Sequence, residues 1–502
     1  MTKHKRILFL ILFITAFFCF WCGEMSLSTL YSREHEFRGA AYAIVMFALA
    51  VVLWRCLRRQ NRPWLCVFVL ALALRVALGL FYSCRPVSDF LTEYQSASAL
   101  AAGDMSLALS DKYTQKFPFI LPFVFYQSLL IRIFSDHVGV LQGVNALITA
   151  SICLLVYSIG CRYHRDCGIL AGLCYAVYPS SVVMTQVLTN QHIAALLFYL
   201  VFWLLLRQFP PTKTTRASAP PAPVTRGFWP QLAAAGCLFG LGHSMRGIGQ
   251  PLLIAILLFW LLYLPWKRVL LQGAVFVVCF ALVSGGFYLF AWQKGILDSP
   301  WTRGDLRYKI LTGFNHDSQG LFNTADYEGF FGAAPGDARD RFFREAMGER
   351  LENPVSVLYL LGAKVYRMWG VTDSSFYWMT TGETEALQQA LSANPDQPEL
   401  RRRLNALYDA TNIFAVIDTG FYGLLTLSAC LGAIPGLTSA GLKKFRANPA
   451  QTLLAWVLLG YASVHLLIEI QPRYRYFAMP AICILASMGL LKIWRRIGGS
   501  AA

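Results

Sequence analysis

The chain has few charged residues, and few acidic ones in particular. Asp, Glu, Lys and Arg make up 14% of its 502 residues, and only 27 residues are acidic. Soluble domains contain about 25% charged residues, so this composition excludes an ordinary soluble protein. The rest is 56% hydrophobic and 14% aromatic, with a mean hydropathy of +0.48. These values indicate a membrane protein.

The net charge of +17 is the second imbalance. An excess of this size is also found in nucleic-acid-binding proteins, but here the cations cluster between apolar stretches, as they do in cytoplasmic loops. We therefore expect a lipid bilayer as partner and no nucleic acid.

The 13 cysteines give little sign of a metal site. Cys161 and Cys167 flank a basic turn, but no fitting second ligand pair accompanies them, so we interpret the cysteines as small apolar residues. We expect no metal and no cofactor, and a divalent cation is not indicated. The basic residues 3–6 precede an apolar run to Phe20 without a small-x-small cleavage site, which predicts a retained first helix.

About 12 apolar stretches approach the roughly 20 residues that a helix needs to cross a bilayer. With the N-terminus inside, each loop predicted to be cytoplasmic is basic, and Asp166 is the only acidic residue among them. The positive-inside rule then puts both termini in the cytoplasm. The predicted spans are 7–22, 39–54, 63–82, 138–160, 168–186, 190–207, 230–247, 249–265, 268–292, 411–433, 449–468 and 474–491.

Two further apolar segments are predicted to lie in the outer membrane interface. Residues 117–135 contain two prolines and an arginine, and residues 354–370 carry Lys364 and Arg367 beside Leu and Val. Both patterns are typical of interfacial helices.

We expect three regions. They are an N-terminal transmembrane region with a first outer loop at 83–137, an extracytoplasmic region with charged helices near 337–352 and 383–408, and a C-terminal transmembrane region. Their predicted bounds are 1–292, 293–410 and 411–502. A Pro/Ala/Thr-rich basic stretch at 208–229 is predicted to be a flexible cytoplasmic linker.

The first candidate site lies in the first outer loop. Asp89 and Glu93 are four residues apart, so on a helix they share one face. Two carboxylates at a partly desolvated boundary raise one pKa and favour a proton acceptor near neutral pH. The alternative interpretation is a solvated helix start capped by Ser88 and Asp89.

The second candidate is the run of residues 469–476 between two apolar helices. Arg473 can hold two phosphate oxygens at once, which suits a lipid phosphate. Pro472 is expected to end the preceding helix, and His465, one turn before Glu469, is expected to contact it. The alternative is an interfacial anchor of Tyr and Arg, although Glu469 and Gln471 go beyond such an anchor.

The third candidate is the outer loop at 308–323. Lys309, Asn315, His316 and Gln319 can bind sugar hydroxyls or phosphate, although a turn-rich loop explains the same composition. Polar residues inside or beside spans carry an insertion cost and suggest a polar cavity that opens outward. They are Arg75, Asn190, His192, His243, Arg246 and Asp418.

Four short patterns resemble the GT-C membrane glycosyltransferases, specifically the bacterial relatives of the protein O-mannosyltransferase and aminoarabinose-transferase branch. The patterns are Ser88-Asp89-Phe90 with Tyr94, Ala97 and Gly103; Lys116-Phe117-Pro118; Gly313-Phe314-Asn315 with Ser318 and Gly320; and Glu469-Ile470-Gln471-Pro472-Arg473-Tyr474. The mannosyltransferases tend to have adjacent Asp and Glu, whereas the glutamate here comes at Glu93.

The resemblance implies an all-α polytopic fold in the plasma (inner) membrane, with an extracytoplasmic site. It implies inverting sugar transfer from a polyprenyl-phosphate-linked donor, with Asp89 as the general base and Glu93 beside it. The expected donor- and phosphate-binding residues are Arg473, Tyr474, Gln471, Glu469, Lys309 and Arg246. The expected substrate-binding residues are His316, Asn315, Gln319, Lys116, His465 and His243.

Two other functions remain open. A multispan transporter or lipid flippase would place its polar residues near the bilayer midplane, in related halves with broken helices. A ligase or polymerase of envelope glycans would share the chemistry but use a longer lipid-linked glycan. The sugar and the envelope acceptor, whether lipid, glycan or protein, are not defined by the sequence.

Overall fold

The computed structural model describes residues 3–31, 36–82, 84–104, 112–209, 227–300, 304–434 and 448–497. Every regular element in these ranges is helical, which confirms the predicted all-α fold. Most of the predicted linker at 208–229 lies outside the described residues, as does most of the basic loop at 442–448 that was expected to be cytoplasmic.

Up to residue 206, long apolar helices alternate with shorter helices. They are α1 (Lys3–Tyr31), α2 (Glu36–Leu57), α3 (Pro63–Phe81), α4 (Ser88–Ala101), α5 (Lys112–Lys116), α6 (Leu121–Ile133), α7 (Val138–Gly160), α8 (Arg165–Val177), α9 (Pro179–Val183) and α10 (Gln191–Leu206). Two 3-10 turns, Pro118–Ile120 and Met184–Gln186, extend α6 and α9.

The second half of the chain contains the polar region predicted at 293–410 and the last predicted spans. Its helices are α11 (Phe228–Met245), α12 (Gly249–Tyr263), α13 (Trp266–Gln293), α14 (Leu306–Gly313), α15 (Thr324–Gly332), α16 (Asp337–Leu351), α17 (Pro354–Val365), α18 (Ser375–Ala393), α19 (Pro398–Ala433), α20 (Pro449–Leu467) and α21 (Met479–Ile497). A π-helical turn, Tyr366–Gly370, follows α17, and a 3-10 helix, Pro472–Ala478, precedes α21.

Each of the 12 predicted spans corresponds to a helix, but not all of these helices meet a strict test for spanning. Seven are long and apolar enough to cross a membrane, and an eighth span results if the bent pair α8 and α9 counts as one. Three more predicted spans form shorter apolar helices, which lie in α2, α10 and α12. The last, α11, is an 18-residue helix with Gly and His among its residues.

The bend between α8 and α9 is 64° and has a local cause. Pro179 has no N–H, so carbonyl oxygens at the end of α8 lose their helical donor. The buried Arg75 side chain replaces it, donating to the Ala176 carbonyl at 3.1 Å and to the Ser181 hydroxyl at 3.0 Å. Ser181 in turn donates to the Tyr175 carbonyl at 2.7 Å. Arg75 is therefore a structural cation within the bundle.

The C-terminal helices form the tightest packing in the bundle. α19 packs against α1 and α21, and Gly432 on α19 faces Gly489 on α21. A Cβ atom added to either glycine would collide with the backbone of the opposite helix. Small residues at such a crossing let membrane helices approach closely.

One Cys-x-x-Cys spacing, Cys19 to Cys22, is buried inside α1.

The polar region predicted at 293–410 contains the helices expected there. The charged stretch near 337–352 is α16, and the stretch near 383–408 is a hairpin of α18 and α19 that turns at residues 394–397. α19 continues without interruption through the expected boundary between residues 410 and 411. Both segments predicted to be interfacial are helical, and α17 exposes apolar side chains such as Val355 and Tyr359.

Candidate active site

Helix α4 carries the first acidic pair. Asp89 and Glu93 lie in its first two turns, so they share a face as predicted. The helix is capped by Val87 without any side-chain cap bond, and Ser88 is its first residue with a φ of 52°. Neither Ser88 nor Asp89 is therefore the N-cap of the described helix, although Asp89 is the acidic residue of its first turn, as the alternative interpretation expected. A positive φ at a non-glycine residue is strained, and such strain clusters at functional sites.

The two carboxylates lie in different environments. Glu93 is buried, whereas Asp89 is half-buried. Burial, and then the nearby Asp89 charge, raise the pKa of Glu93 to about 8, although Arg473 and Arg246 oppose this shift. Glu93 is therefore largely protonated at neutral pH. Tyr113 contributes a hydroxyl that hydrogen-bonds to Asp89, so a tyrosine from a separate element orients that carboxylate.

The segment after α20 is extended and pairs with the third candidate loop. The Glu469 N–H donates to the Lys309 carbonyl at 2.8 Å, and the Ile470 N–H donates to the Gly320 carbonyl at 2.8 Å. Gly313 lies so close that an added Cβ would meet the Ile468 carbonyl carbon at 2.5 Å. Two motifs about 150 residues apart are thus joined by backbone contacts that leave no room for a side chain at Gly313.

Two expectations about this segment are wrong. α20 ends at Leu467, and Pro472 instead begins the following 3-10 helix. Because α20 stops before Glu469, His465 does not share its helical face with that residue. The His465 ring instead contacts the carbonyl of Tyr461, with Nδ1 2.8 Å from the oxygen.

Glu469 is the centre of a buried polar group. Its carboxylate accepts hydrogen bonds from Lys309 Nζ at 2.7 Å and from Gln471 Nε2 at 3.1 Å, with the Tyr474 hydroxyl at 3.5 Å. Burial alone would lower the pKa of Lys309, but the adjacent Glu469 carboxylate outweighs it and holds that pKa above its ordinary value. The charge of Lys309 is therefore matched by a protein carboxylate.

Arg473 is a buried cation with unused donors. Its guanidinium is stacked 4.8 Å from the Phe90 ring centroid and 4.4 Å from that of Trp378. Its Nε and Nη1 atoms are buried and have no hydrogen-bond partner among the described residues. Buried donors are rarely left unpaired, and such exceptions call for an explanation such as a bound ion or ligand. A planar guanidinium with donors to spare is suited to contact with an anion.

Arg246 is the second cation of this type. Its Nη1 donates to the Asn190 side-chain oxygen at 3.1 Å, and its guanidinium lies 4.7 Å from the Tyr474 ring centroid. Its Nε is buried without a hydrogen-bond partner in the ranges that the structure covers. Aromatic and amide contacts therefore fix the orientation of Arg246 while leaving one donor available.

These groups surround one cavity of about 240 Å³. All eight residues predicted as catalytic or donor-binding line it, namely Asp89, Glu93, Arg246, Lys309, Glu469, Gln471, Arg473 and Tyr474. Aromatic side chains complete the wall, including Tyr113, Phe117, Phe119, Tyr308, Phe322 and Tyr327. The cavity therefore combines an acidic pair, two cations with free donors and an aromatic face.

The six residues predicted to bind substrate do not line this cavity, and most have structural partners. Asn315 donates to Asp326 at 3.0 Å, His316 Nε2 is 3.0 Å from the Arg350 carbonyl, and Gln319 accepts from Arg367 at 2.5 Å. These hydrogen bonds hold the loop at 308–323 to neighbouring helices, so the three side chains have structural roles.

The other predicted substrate-binding residues lie just behind the cavity wall. Lys116 Nζ donates to the Tyr327 hydroxyl at 2.9 Å and so holds one of the lining aromatics. His243 accepts from the Gly249 N–H at 3.1 Å, next to the chain turn that carries Arg246. His465 packs 5.7 Å from the Tyr474 ring centroid.

The remaining polar residues noted in or beside spans divide between the cavity and the bundle. Asn190 and Arg246 line the cavity. His192 contacts the Tyr476 hydroxyl at 2.9 Å. Asp418 accepts from Arg475 at 3.1 Å, and both side chains are fully buried. These last residues tie helices together and do not open to the cavity.

Comparisons with known proteins give weak structural likeness only. No family model and no curated protein matches the chain. Among solved structures, the chain is similar to the Archaeoglobus fulgidus oligosaccharyltransferase tethered by a disulfide bond to an acceptor peptide containing the NVT sequon. The match has 14% sequence identity and a TM-score of 0.46, and it covers 87% of this chain and 50% of that one. Function is therefore inferred below from the chain's own cavity.

Proposed function

We propose that this protein is a membrane glycosyltransferase of the GT-C type. It moves a sugar from a polyprenyl-phosphate donor to an acceptor hydroxyl or amine on the extracytoplasmic face of the plasma membrane. One observation carries the proposal. Among the described residues, a buried arginine with two unpaired donors lines the same cavity as a pair of carboxylates, and seven helices are candidate membrane spans.

Asp89 is the general base in this proposal. It is the less buried carboxylate of the pair, and Tyr113 orients it by a hydrogen bond. It takes the proton of the acceptor hydroxyl while that oxygen attacks the anomeric carbon of the sugar. The bond from the anomeric carbon to the phosphate oxygen breaks on the opposite face, so the configuration inverts. A positioned base contributes about 10²–10⁴-fold to a rate.

The leaving group is polyprenyl phosphate, and the two arginines receive its charge. Arg473 and Arg246 offer donors that no group in the described part of the chain uses, whereas Lys309 is already paired with Glu469. Fixed donors aimed at developing negative charge are often the largest single contribution to catalysis. Lys309 then acts through its ion pair, which fixes one wall of the cavity.

Glu93 has a different role from Asp89. With a pKa of about 8 it is mostly uncharged at neutral pH, so it donates a hydrogen bond to a substrate oxygen. A neutral carboxyl next to an ionised one is a common way of dividing acid and base roles between two similar residues.

A transporter or flippase is the second candidate, and the bent pair α8 and α9 is the observation that favours it. Broken helices line the substrate sites of many transporters. Here, however, the carbonyls freed at the bend are occupied by Arg75 and Ser181. A ligase or polymerase of envelope glycans remains an alternative within the transferase class, since it needs the same base and leaving-group chemistry.

Turnover by purified protein in liposomes tests the proposal. The protein is given radiolabelled polyprenyl-phosphate hexoses and pentoses with envelope lipid extract, and release of polyprenyl phosphate is measured. A time-dependent release that requires the protein supports a transferase. Movement of intact labelled donor across the bilayer without any release would instead favour the flippase.

A further inference from the structure

Lys364 on α17 is a buried lysine that the proposed reaction does not use. Only 1% of its surface is exposed. Its ammonium donates to three carbonyl oxygens, those of Gly313 at 2.8 Å, Leu466 at 2.8 Å and Ile468 at 2.9 Å. Three acceptors match the three N–H donors of a protonated lysine. Burial lowers the pKa of Lys364 to about 7, whereas hydrogen bonds to three carbonyl oxygens favour its protonated form.

The three acceptors mark the ends of two different helices. Gly313 is the last residue of α14, while Leu466 and Ile468 lie at the C-terminus of α20. Carbonyls at helix C-termini have no partner within the helix and carry the negative end of its dipole. A single ammonium therefore satisfies the C-terminal carbonyls of two helices that meet at this point.

Both helices lead directly into the cavity. α14 carries Lys309, and the segment after α20 carries Glu469, Gln471, Arg473 and Tyr474. Gly320 packs on the aliphatic stem of Lys364, where an added Cβ would meet its Cε at 2.9 Å. The stem of Lys364 thus contacts the loop at Gly320, and its ammonium contacts Gly313 and Ile468. These contacts lie on both of the segments whose backbone pairing aligns Glu469 with Lys309.

We propose that Lys364 is a positioning residue that fixes the segment carrying Glu469 and Arg473 against α14. Without the ammonium, the two helix ends lose their shared partner and the cavity wall between them loosens. The expected loss of turnover rests on the proposed function, whereas the expected change in hydrogen exchange does not.

The test compares Lys364→Met with Lys294→Met. The first variant keeps the length of the stem and removes the charge. The second removes an exposed lysine at the end of α13, outside the cavity. Hydrogen exchange is followed by mass spectrometry on detergent-solubilised, full-length protein, with attention to peptides that contain Glu469 and Ile470. Their amides donate to Lys309 and Gly320.

The inference predicts exchange of these amides at least about tenfold faster in Lys364→Met, since the variant loses hydrogen bonds from a charged group to the carbonyls that anchor this segment. Lys294→Met exchanges like the wild type. Lys364→Arg, which retains a cation, restores part of the protection. Unchanged exchange at Glu469 and Ile470 in a folded Lys364→Met protein would overturn the inference, as would equal acceleration across the whole chain.

Kinetics supply the second readout. Displacement of a catalytic wall by about 1 Å costs on the order of 100-fold in rate, so kcat of Lys364→Met falls while Lys294→Met is unaffected. If exchange at Glu469 accelerates but the wild type turns over no donor, the positioning role stands and the proposed function fails. If the wild type turns over donor and Lys364→Met matches it in both kcat and exchange, the positioning role fails alone.

Discussion

Arg473 and Arg475 lie two residues apart in one 3-10 helix, and both are buried, yet their environments differ. Arg475 donates from both terminal nitrogens, to the Val371 carbonyl and to Asp418, and its guanidinium lies 4.0 Å from the Tyr422 ring centroid. Among the described residues, Arg473 contacts two aromatic rings and leaves Nε and Nη1 unpaired beside a cavity, whereas Arg475 leaves only Nε without a partner. The same residue type thus stabilises the fold at one position and is available to a ligand at the other.

The buried network around Arg475 explains why that position is structural. The Ser180 hydroxyl lies 2.5 Å from an Asp418 oxygen and 2.7 Å from an Asp373 oxygen, so its single proton serves one of the two carboxylates at a time. The network joins α9, α19 and the start of α18 to the 3-10 helix. Buried ion pairs depend on such additional hydrogen bonds, because a lone buried charge is strongly unfavourable.

The largest expected effect on stability follows from breaking this network. Arg475→Ala leaves Asp418 and Asp373 without their cation, and removing one partner of a buried pair costs about 3–5 kcal/mol. Thermal unfolding in a single detergent, followed by near-UV circular dichroism, should show a large decrease in midpoint. Arg402→Ala, at an exposed ion pair with Glu399, is the matched control and should change stability by about 0–1 kcal/mol.

Arg473→Gln should give the opposite pattern. It removes a cation with unused donors, so the unfolding midpoint should remain close to that of the wild type. Donor turnover should fall by about 10²–10³-fold, as when a donor to developing negative charge is lost. Arg473→Lys keeps the charge without the planar fork and should recover only part of the activity. If Arg473→Gln unfolds as readily as Arg475→Ala, the contrast between the two arginines is wrong.

The last prediction concerns the pH dependence of stability at Glu93. Its folded-state pKa of about 8 lies above the ordinary carboxyl value of 4.5, so the unfolded chain gives up this proton first. Wild-type stability relative to Glu93→Gln should therefore decrease as pH rises from about 4.5 to about 8, and should be constant above that. Unfolding midpoints of both proteins across this range measure the difference. A constant difference in stability over the whole pH range would show that folding does not shift the pKa of Glu93.

Much of the fold could be predicted from the sequence because it depends on local patterns. Apolar runs, prolines and charged stretches mark helices directly, so the structure has a helix at each predicted span. The spacing of Asp89 and Glu93 similarly determined that they share a face. Whether each helix is long enough to cross a membrane was harder to predict from the sequence, since α10 and α12 are apolar but shorter than the spanning helices.

The side-chain partners could not be predicted because they come from distant parts of the chain. Asn315, His316 and Gln319 looked like binding residues, but Asp326, Arg350 and Arg367 use their polar atoms. Tyr113 and Trp378 complete the site from elements with no recognisable motif. Lys364 was visible as one cation on an amphipathic segment, but its acceptors belong to two other helices.

Replacement of Asp89 by Asn tests the central claim most directly. The wild type and the variant are reconstituted in parallel, and release of polyprenyl phosphate from radiolabelled polyprenyl-phosphate sugars is measured. The account predicts that Asp89→Asn folds normally, still binds the donor through Arg473 and Arg246, and loses turnover by about 10²–10⁴-fold. An Asp89→Asn protein as active as the wild type would contradict it and place the base elsewhere in the cavity.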